Sequence, residues 1–264
     1  MYADLREYLQ TLKARGKLHE IETEVDKDWE LSAVCRRVFQ RIPARERPVL
    51  LFNRVKGFKA QVAVGAIGAS REVYALALGT RPDGIMDKWF HGLAHPLKPI
   101  VISAGPCQEN VMRGEEINLG LFPIPTWTVE HDPGPYITAP YVITKNPETG
   151  VINTGTYRVQ VKGPNRVGLM MGKHHGMLDI MKWEECGKPA PMAIVIGADP
   201  VIGVVSVSSV AYGVDEMAVA GGLRGAPVEM VKCMTIPLEV PATAEIVIEG
   251  EILPGAREKE GPFG

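Results

Sequence analysis

The 264-residue sequence predicts a mixed α/β (α+β) fold in two parts, an N-terminal α/β region over residues 1–105 and a strand-rich region over 106–264. Three observations carry this expectation. Apolar residues recur at helical spacing several times in the first hundred residues. The texture changes around Pro99–Pro106, after which short apolar runs alternate with turn signals. The 28 glycines and 21 prolines are scattered and exceed the usual combined share of about 12 %, which argues for many turns and short strands.

In chain order, Asp4 caps a helix with Leu5, Leu9 and Leu12 on one face, and Gly16 ends it. A second helix from about Asp28 carries Leu31, Val34, Val38 and Phe39. Strands follow at Pro48–Val55 and Ala60–Gly68. Ser70 caps a helix running through Leu78, and another spans about Asp83–His95. Past the boundary, Tyr141–Lys145 and Val151–Lys162 flank Asn146-Pro147-Glu148-Thr149-Gly150, a hairpin signal. Gly163-Pro164-Asn165 then turns the chain into Val167–Met171. Met192–Ile196, Gly203–Val207, Glu229–Met234 and Ala244–Glu249 read as further strands, interrupted by helices at about Gly176–Lys188 and Asp215–Arg224. Many short strands at near-regular spacing suggest a barrel or a sandwich.

Charge and composition exclude several classes. Lys plus Arg total 29 and Asp plus Glu total 31, so there is no basic field to hold nucleic acid or an anionic membrane. No apolar run reaches the roughly 18 residues of a membrane span. The first residues, Met1 to Glu7, lack the layout of a signal peptide. Cys35, Cys107, Cys186 and Cys233 form no CxxC pair, which leaves a zinc ribbon or thioredoxin site unsupported and fits reduced thiols in a cytoplasmic protein.

Five stretches carry residue types suited to chemistry. Asn153 and Arg158, five apart on a strand, point to opposite faces unless Gly155 marks a bulge. They are either a polar strand edge or an amide and a guanidinium serving one anionic ligand. Lys173 and His174, in Gly172-Lys173-His174-His175-Gly176, stand near a helix start where phosphate or metal can bind, although adjacent histidines are more often surface residues. Glu216 either complements a helix dipole or is a hard oxygen ligand. Asn, His and Glu together suit Mn²⁺ or Mg²⁺ held with phosphate oxygens better than they suit zinc. Gly203–Ser209 offers hydroxyls and backbone N–H groups to a phosphate. Glu260 precedes Gly261-Pro262-Phe263-Gly264, a frame that holds a carboxylate close to a ligand. Trp127 and His131 either line an entrance or pack, and Met170 and Met171 read as core fillers rather than substrate contacts.

These motifs, in their order and spacing, resemble the N-terminal half or slightly more of a UbiD-type decarboxylase, the family that uses prenylated FMN. The resemblance also rests on Asp4-Leu5-Arg6-Glu7-Tyr8-Leu9, Gly16-Lys17-Leu18, Ala104-Gly105-Pro106-Cys107-Gln108-Glu109, Pro123-Ile124-Pro125 and Gly134-Pro135-Tyr136-Ile137-Thr138. It implies an N-terminal α/β domain followed by a split β-barrel flavin-binding domain, with the family's C-terminal domain absent. It implies Asn153, His174 and Glu216 as ligands of Mn²⁺ (or Mg²⁺) bridging to the cofactor phosphate, with K⁺ (or Na⁺) nearby. Lys173, Thr154, Thr156, Ser208 and Ser209 fall at cofactor-contacting positions. Arg158 matches the catalytic arginine, and Glu260 the first glutamate of a Glu-Arg-Glu network.

The family motif continues from Gly264 to a glutamate that donates the proton. The resemblance therefore implies that these 264 residues alone do not decarboxylate and that they associate through apolar surface near Ile246–Ile248. Glu258 and Glu251 are the candidate substitute acids, but neither sits at the motif position. The implied reaction is reversible, non-oxidative decarboxylation of an aromatic, heteroaromatic or α,β-unsaturated acid. The alternatives are carboxylation of a phenolic compound, or a flavin-binding subunit without catalysis of its own. The implied partners are a flavin prenyltransferase as cofactor supplier and further copies of the chain in a homo-oligomer.

Overall fold

A computed structural model describes residues 1–172 and 175–264. The chain opens on α1 (Leu5–Ala14), where the Asp4 carboxylate accepts the Glu7 amide at 2.8 Å and satisfies one of the first-turn donors. Tyr8 and Leu12, one turn apart, are fully buried. β1 (Leu18–Ile21), α2 (Glu30–Arg41), β2 (Val49–Phe52) and β3 (Val62–Val64) follow. β1 runs parallel to β2, and β3 antiparallel to it. β2 is apolar throughout because both of its faces are covered. Val49 enters the main core, while Leu50 and Phe52 pack with Leu31 and Cys35 of α2 in a second one. Burial there pushes the Cys35 thiol up to about 12, and all four cysteines are free. Ser70 caps α3 (Arg71–Ala77) through the Val73 amide, and α4 (Ile85–Ala94) follows.

The remaining elements are β4 (Ile100–Val101), β5 (Tyr136–Ile137), β6 (Tyr141–Lys145), β7 (Ile152–Gly155), β8 (Val159–Gly163), β9 (Arg166–Leu169), α5 (His175–Glu185), β10 (Ala190–Ile196), α6 (Pro200–Ser206), α7 (Glu216–Arg224), β11 (Glu229–Lys232), β12 (Glu239–Pro241) and β13 (Ile246–Ile252). They form an antiparallel sheet β13-β10-β6-β7, a sheet β12-β11-β4 and an antiparallel sheet β5-β8-β9. The main core runs through both halves of the sequence, joining Tyr8, Val49 and Val73 to Ile143, Val195 and Leu223. α4 lies on α7 at close range. A Cβ at Gly222 would stand 2.5 Å from the carbonyl oxygens of Gly92 and His95, so only glycine admits this approach.

Several expectations change. Gly203–Val207 lies in and just after a helix, α6, not a strand. Asp199 caps it by accepting the Val201 amide, Pro200 takes its first position, and every residue from Pro200 to Ser206 is buried. A helix buried all round shows no period, and its β-branched run imitates a core strand. Val151–Lys162 is two strands in two sheets rather than one. Met170 is 54 % exposed and fills no core. Ile246–Ile248 are partly buried on β13, the edge strand of its sheet, Val247 against the main core and Ile248 against a cluster with Ile194. Trp127 packs against the α2 cluster and donates to the Tyr136 carbonyl, whereas His131 is exposed. Among the described residues no helix is long and apolar enough to cross a membrane.

Candidate active site

The site is built around a break in a strand. β7 ends at Gly155, where a Cβ would meet the Tyr157 ring at 2.6 Å. Thr156 then leaves the sheet for α6. Its amide donates to the Ser206 carbonyl at 2.9 Å, and its hydroxyl shares a 2.8 Å hydrogen bond with the Ser206 hydroxyl. Arg158 immediately precedes β8, which belongs to a different sheet. Asn153 and Arg158 are therefore not two positions on one strand, and they reach different surroundings.

Asn153 reaches a buried pocket. In the β6–β7 register it stands opposite Thr144, so both side chains emerge on the face covered by α5. There the Thr144 hydroxyl donates to Asp179 Oδ2 at 2.8 Å. Glu216 enters the same pocket as the first residue of α7, where Asp215 caps the helix by accepting the Met217 and Ala218 amides. Glu216 Oε2 accepts the Thr154 amide at 3.0 Å. The side chain is 5 % exposed, and this desolvation outweighs that hydrogen bond, pushing its pKa up to about 7. Asp179, 1 % exposed, is likewise raised by burial. Asn153 Nδ2 and Thr154 Oγ1 are buried without a hydrogen-bond partner among the described residues. Asn153, Asp179 and Glu216 thus present an amide and two carboxylates to one small space. The described residues contain no cluster of three or more His, Cys, Asp or Glu side chains that fits a metal. Lys173 and His174 lie outside the described residues, and the ring of their neighbour His175 packs against Tyr212.

Arg158 reaches a second place. Its Nε donates to Glu260 Oε1 at 2.9 Å and its Nη2 to Oε2 at 2.7 Å, a two-pronged pairing that raises the guanidinium's pKa. The guanidinium lies 5.3 Å from the centre of the Phe263 ring, and that ring packs on Tyr136. Gly261 at φ 86° carries the chain past Arg158. The segment bearing Glu260, residues 253–264, has no regular structure and is strapped down by charge. Arg257 grips Glu184 with two bonds of 2.7 and 2.9 Å, Glu258 pairs with Lys162 and Arg166, Lys162 also donates to the Lys259 carbonyl, and the Gly264 amide donates to Asp132 Oδ1 at 3.1 Å. The Lys162 and Arg166 pairings hold the Glu258 carboxyl below its ordinary range, so it is ionised near neutral pH and keeps no proton to donate.

Ser208 turns its hydroxyl back to the Val204 carbonyl at 2.7 Å, and Ser209 is exposed. Ser206 falls in the Gly203–Ser209 stretch singled out for its hydroxyls, whereas sequence reasoning missed Asp179, Tyr212 and Asp132. Their contacts join residues 33 to 132 positions apart, and no local pattern marks them.

Known proteins are similar to this one in sequence and fold. Residues 9–93 match the 3-octaprenyl-4-hydroxybenzoate carboxy-lyase N-terminal domain, and residues 100–264 match the Rift-related domain of the same enzyme. The chain is similar to an evolved dimeric form of the UbiD-class enzyme HmfF from Pelotomaculum thermopropionicum, solved in complex with prFMN, at 39 % identity and a TM-score of 0.92, covering 100 % of this chain and 60 % of that one. It is similar to vanillic acid decarboxylase from Sedimentibacter hydroxybenzoicus in its closed form, at 34 % identity and a TM-score of 0.93, covering 100 % and 58 %. The 3,4-dihydroxybenzoic acid decarboxylase of Klebsiella pneumoniae matches at 30 % identity and a TM-score of 0.87, covering 97 % and 55 %. The chain thus spans somewhat more than half the length of these relatives. With both domains matched and the fold shared over its whole length, the chain belongs to the UbiD family of carboxy-lyases.

Proposed function

We propose that this protein is a prenylated-FMN-dependent decarboxylase of an aromatic, heteroaromatic or α,β-unsaturated carboxylic acid. One observation carries the reading. The sheet break at Thr156 sends Asn153 to a buried oxygen-donor pocket and Arg158, five residues on, to a paired carboxylate. A single short segment thereby supplies an anchor and a reacting end.

The residues fit the cofactor. Asn153 and Thr154 bring buried donors that lack acceptors among the described residues, and Glu216 brings a buried carboxylate held by one backbone N–H. Phosphate oxygens would complete the donors, and a hard divalent ion would complete the carboxylate. Asn153 and Glu216, with His174, would hold Mn²⁺ (or Mg²⁺), with K⁺ (or Na⁺) beside it. Thr154, Thr156, Lys173, Ser208 and Ser209 would contact the flavin phosphate or its surroundings within a split-barrel domain spanning 106–264. When bound, prenylated FMN supplies the electron sink that decarboxylation at an sp² carbon requires.

The chain's own residues do the rest. Arg158 commits Nε and Nη2 to Glu260, which leaves Nη1 for the substrate carboxylate and orients it. Glu260 fixes the guanidinium plane and offsets part of its charge, so the carboxylate is positioned without being held too tightly to leave as CO₂. Phe263 and Tyr136 close an apolar wall beside the guanidinium that limits water. A flavin prenyltransferase supplies the cofactor, and the working form is a cytoplasmic homo-oligomer.

The test is to produce the protein together with a flavin prenyltransferase, record its absorbance and mass spectra, and screen aryl and acrylic acids for CO₂ release. A bound modified flavin is expected, and in the full-length enzyme turnover of at least one acid. Protein that retains neither flavin nor Mn²⁺ refutes the proposal.

A further inference from the structure

The pocket that takes in Asn153 and Glu216 extends outward past Asn146 and Asp179 to Tyr212 and Gly213. Thr149, Tyr212, Gly213 and Val214 form its exposed lining, and of these Tyr212 bridges two buried side chains. Asn146 Nδ2 donates to the Tyr212 hydroxyl at 2.9 Å, and that hydroxyl donates to Asp179 Oδ1 at 3.0 Å. The two outer groups are fixed posts. Asn146 is 5 % exposed, and its Oδ1 accepts the Glu148 and Thr149 amides of its own turn. Asp179 is tied to Thr144 on β6. Tyr212 differs from both: it is 42 % exposed, it lies on the irregular segment between α6 and α7, and Gly213 follows at φ 88°. An exposed loop tyrosine thus has its polar tip fastened between two buried posts while its ring leans on His175.

We propose that Tyr212 is a bolt across the outer end of the cation pocket, a positioning residue that sets how fast an ion held by Asn153 and Glu216 exchanges with solvent. The inference rests on the reading that these residues hold a divalent ion. Its physical basis is a separation of roles. Tyr212 supplies none of the proposed donors, so loosening it lowers the barrier to entry and to exit together and leaves the affinity where it was. A residue that shaped the donors would change the affinity instead.

The experiment uses the protein loaded with Mn²⁺ and FMN. Excess EDTA is added, and loss of protein-bound Mn²⁺ is followed in time, with the Mn²⁺ dissociation constant measured separately. Tyr212→Phe keeps the ring and removes both hydrogen bonds; Tyr212→Ala removes the plug as well. The expected result is Mn²⁺ release about tenfold faster in Tyr212→Phe and faster again in Tyr212→Ala, with both dissociation constants within about twofold of wild type. Unchanged release in both variants overturns the bolt, as does an affinity loss that accounts for the whole change in rate. Wild-type protein that binds no Mn²⁺ overturns the reading of the donor set, and the bolt falls with it.

Discussion

The Asn153–Glu216 pocket and the Arg158–Glu260 pair begin five residues apart and are built in opposite ways. The first is made by regular elements: a strand register that sets Asn153 opposite Thr144, a helix start that presents Glu216, and a helix that carries Asp179. Its key side chains are buried, and it resembles core that has been left polar. The second is made by an irregular strap whose fastenings, Arg257–Glu184 and Glu258 with Lys162 and Arg166, are largely solvent-exposed ion pairs. In the proposed function the contrast follows from what each place would do. A phosphate and its ion, once seated, would need fixed geometry and little water. A substrate carboxylate would have to enter and CO₂ to leave, which a strap permits and a sealed core does not.

The largest expected effect separates the two places by their chemistry. Arg158→Ala removes the group proposed to meet the substrate and leaves the pocket intact. In the full-length enzyme, decarboxylation falls by about 10³-fold or more while bound flavin stays near wild type, as judged from turnover and absorbance on the same sample. Near-normal turnover would strike Arg158 from the reacting end.

Glu216→Gln probes the other place. Replacing a buried carboxylate by its neutral isostere weakens Mn²⁺ retention by about 10²-fold, measured by metal analysis after gel filtration. The same change stabilises the metal-free protein at pH 8. The folded pKa of Glu216 is raised from an ordinary 4.5 to about 7, so the wild-type protein is penalised above pH 7, where the buried group must be charged. Below about pH 4.5 the carboxyl is protonated in both the folded and the unfolded state. The variant's advantage in thermal midpoint therefore shrinks as pH falls through this window and vanishes at its lower end. An advantage independent of pH would show that it does not come from the buried charge.

The smallest effect concerns the strap. Exposed pairs of this kind are each worth about 0.2–1 kcal/mol. Glu258→Ala is expected to lower turnover by less than tenfold and to speed tryptic cleavage after Arg257 and Lys259. High salt speeds that cleavage in the wild type and adds little in the variant. Equal salt sensitivity in both would mean that these pairs do not hold the strap.

The parts of this picture that were legible in sequence are the local ones. Asp4 and Ser70 cap helices where a short polar side chain precedes an apolar periodic run, a helix follows Asp215, and Asn146–Gly150 turns a hairpin through its own backbone bonds. Motif spacing also singled out Asn153, Arg158, Glu216 and Glu260, and the structure groups them two by two. What escaped has a common physical cause. The burial of α6 erased its period, and the break at Thr156 is set by contacts with Ser206, fifty residues away. Asp179, Tyr212 and Asp132 acquire their partners only through tertiary contact. The pairing of Glu258 with Lys162 and Arg166 likewise joins residues more than ninety positions apart.

The division of labour between anchor and reacting end is tested most directly by titrating FMN into the protein with and without Mn²⁺ and following flavin fluorescence, for wild type, Glu216→Gln and Arg158→Ala. Mn²⁺ is expected to strengthen wild-type binding, Glu216→Gln to lose about 10²-fold of the Mn²⁺-assisted affinity, and Arg158→Ala to stay within about threefold of wild type. FMN binding that ignores Mn²⁺, or that falls as far in Arg158→Ala as in Glu216→Gln, would contradict this division of labour.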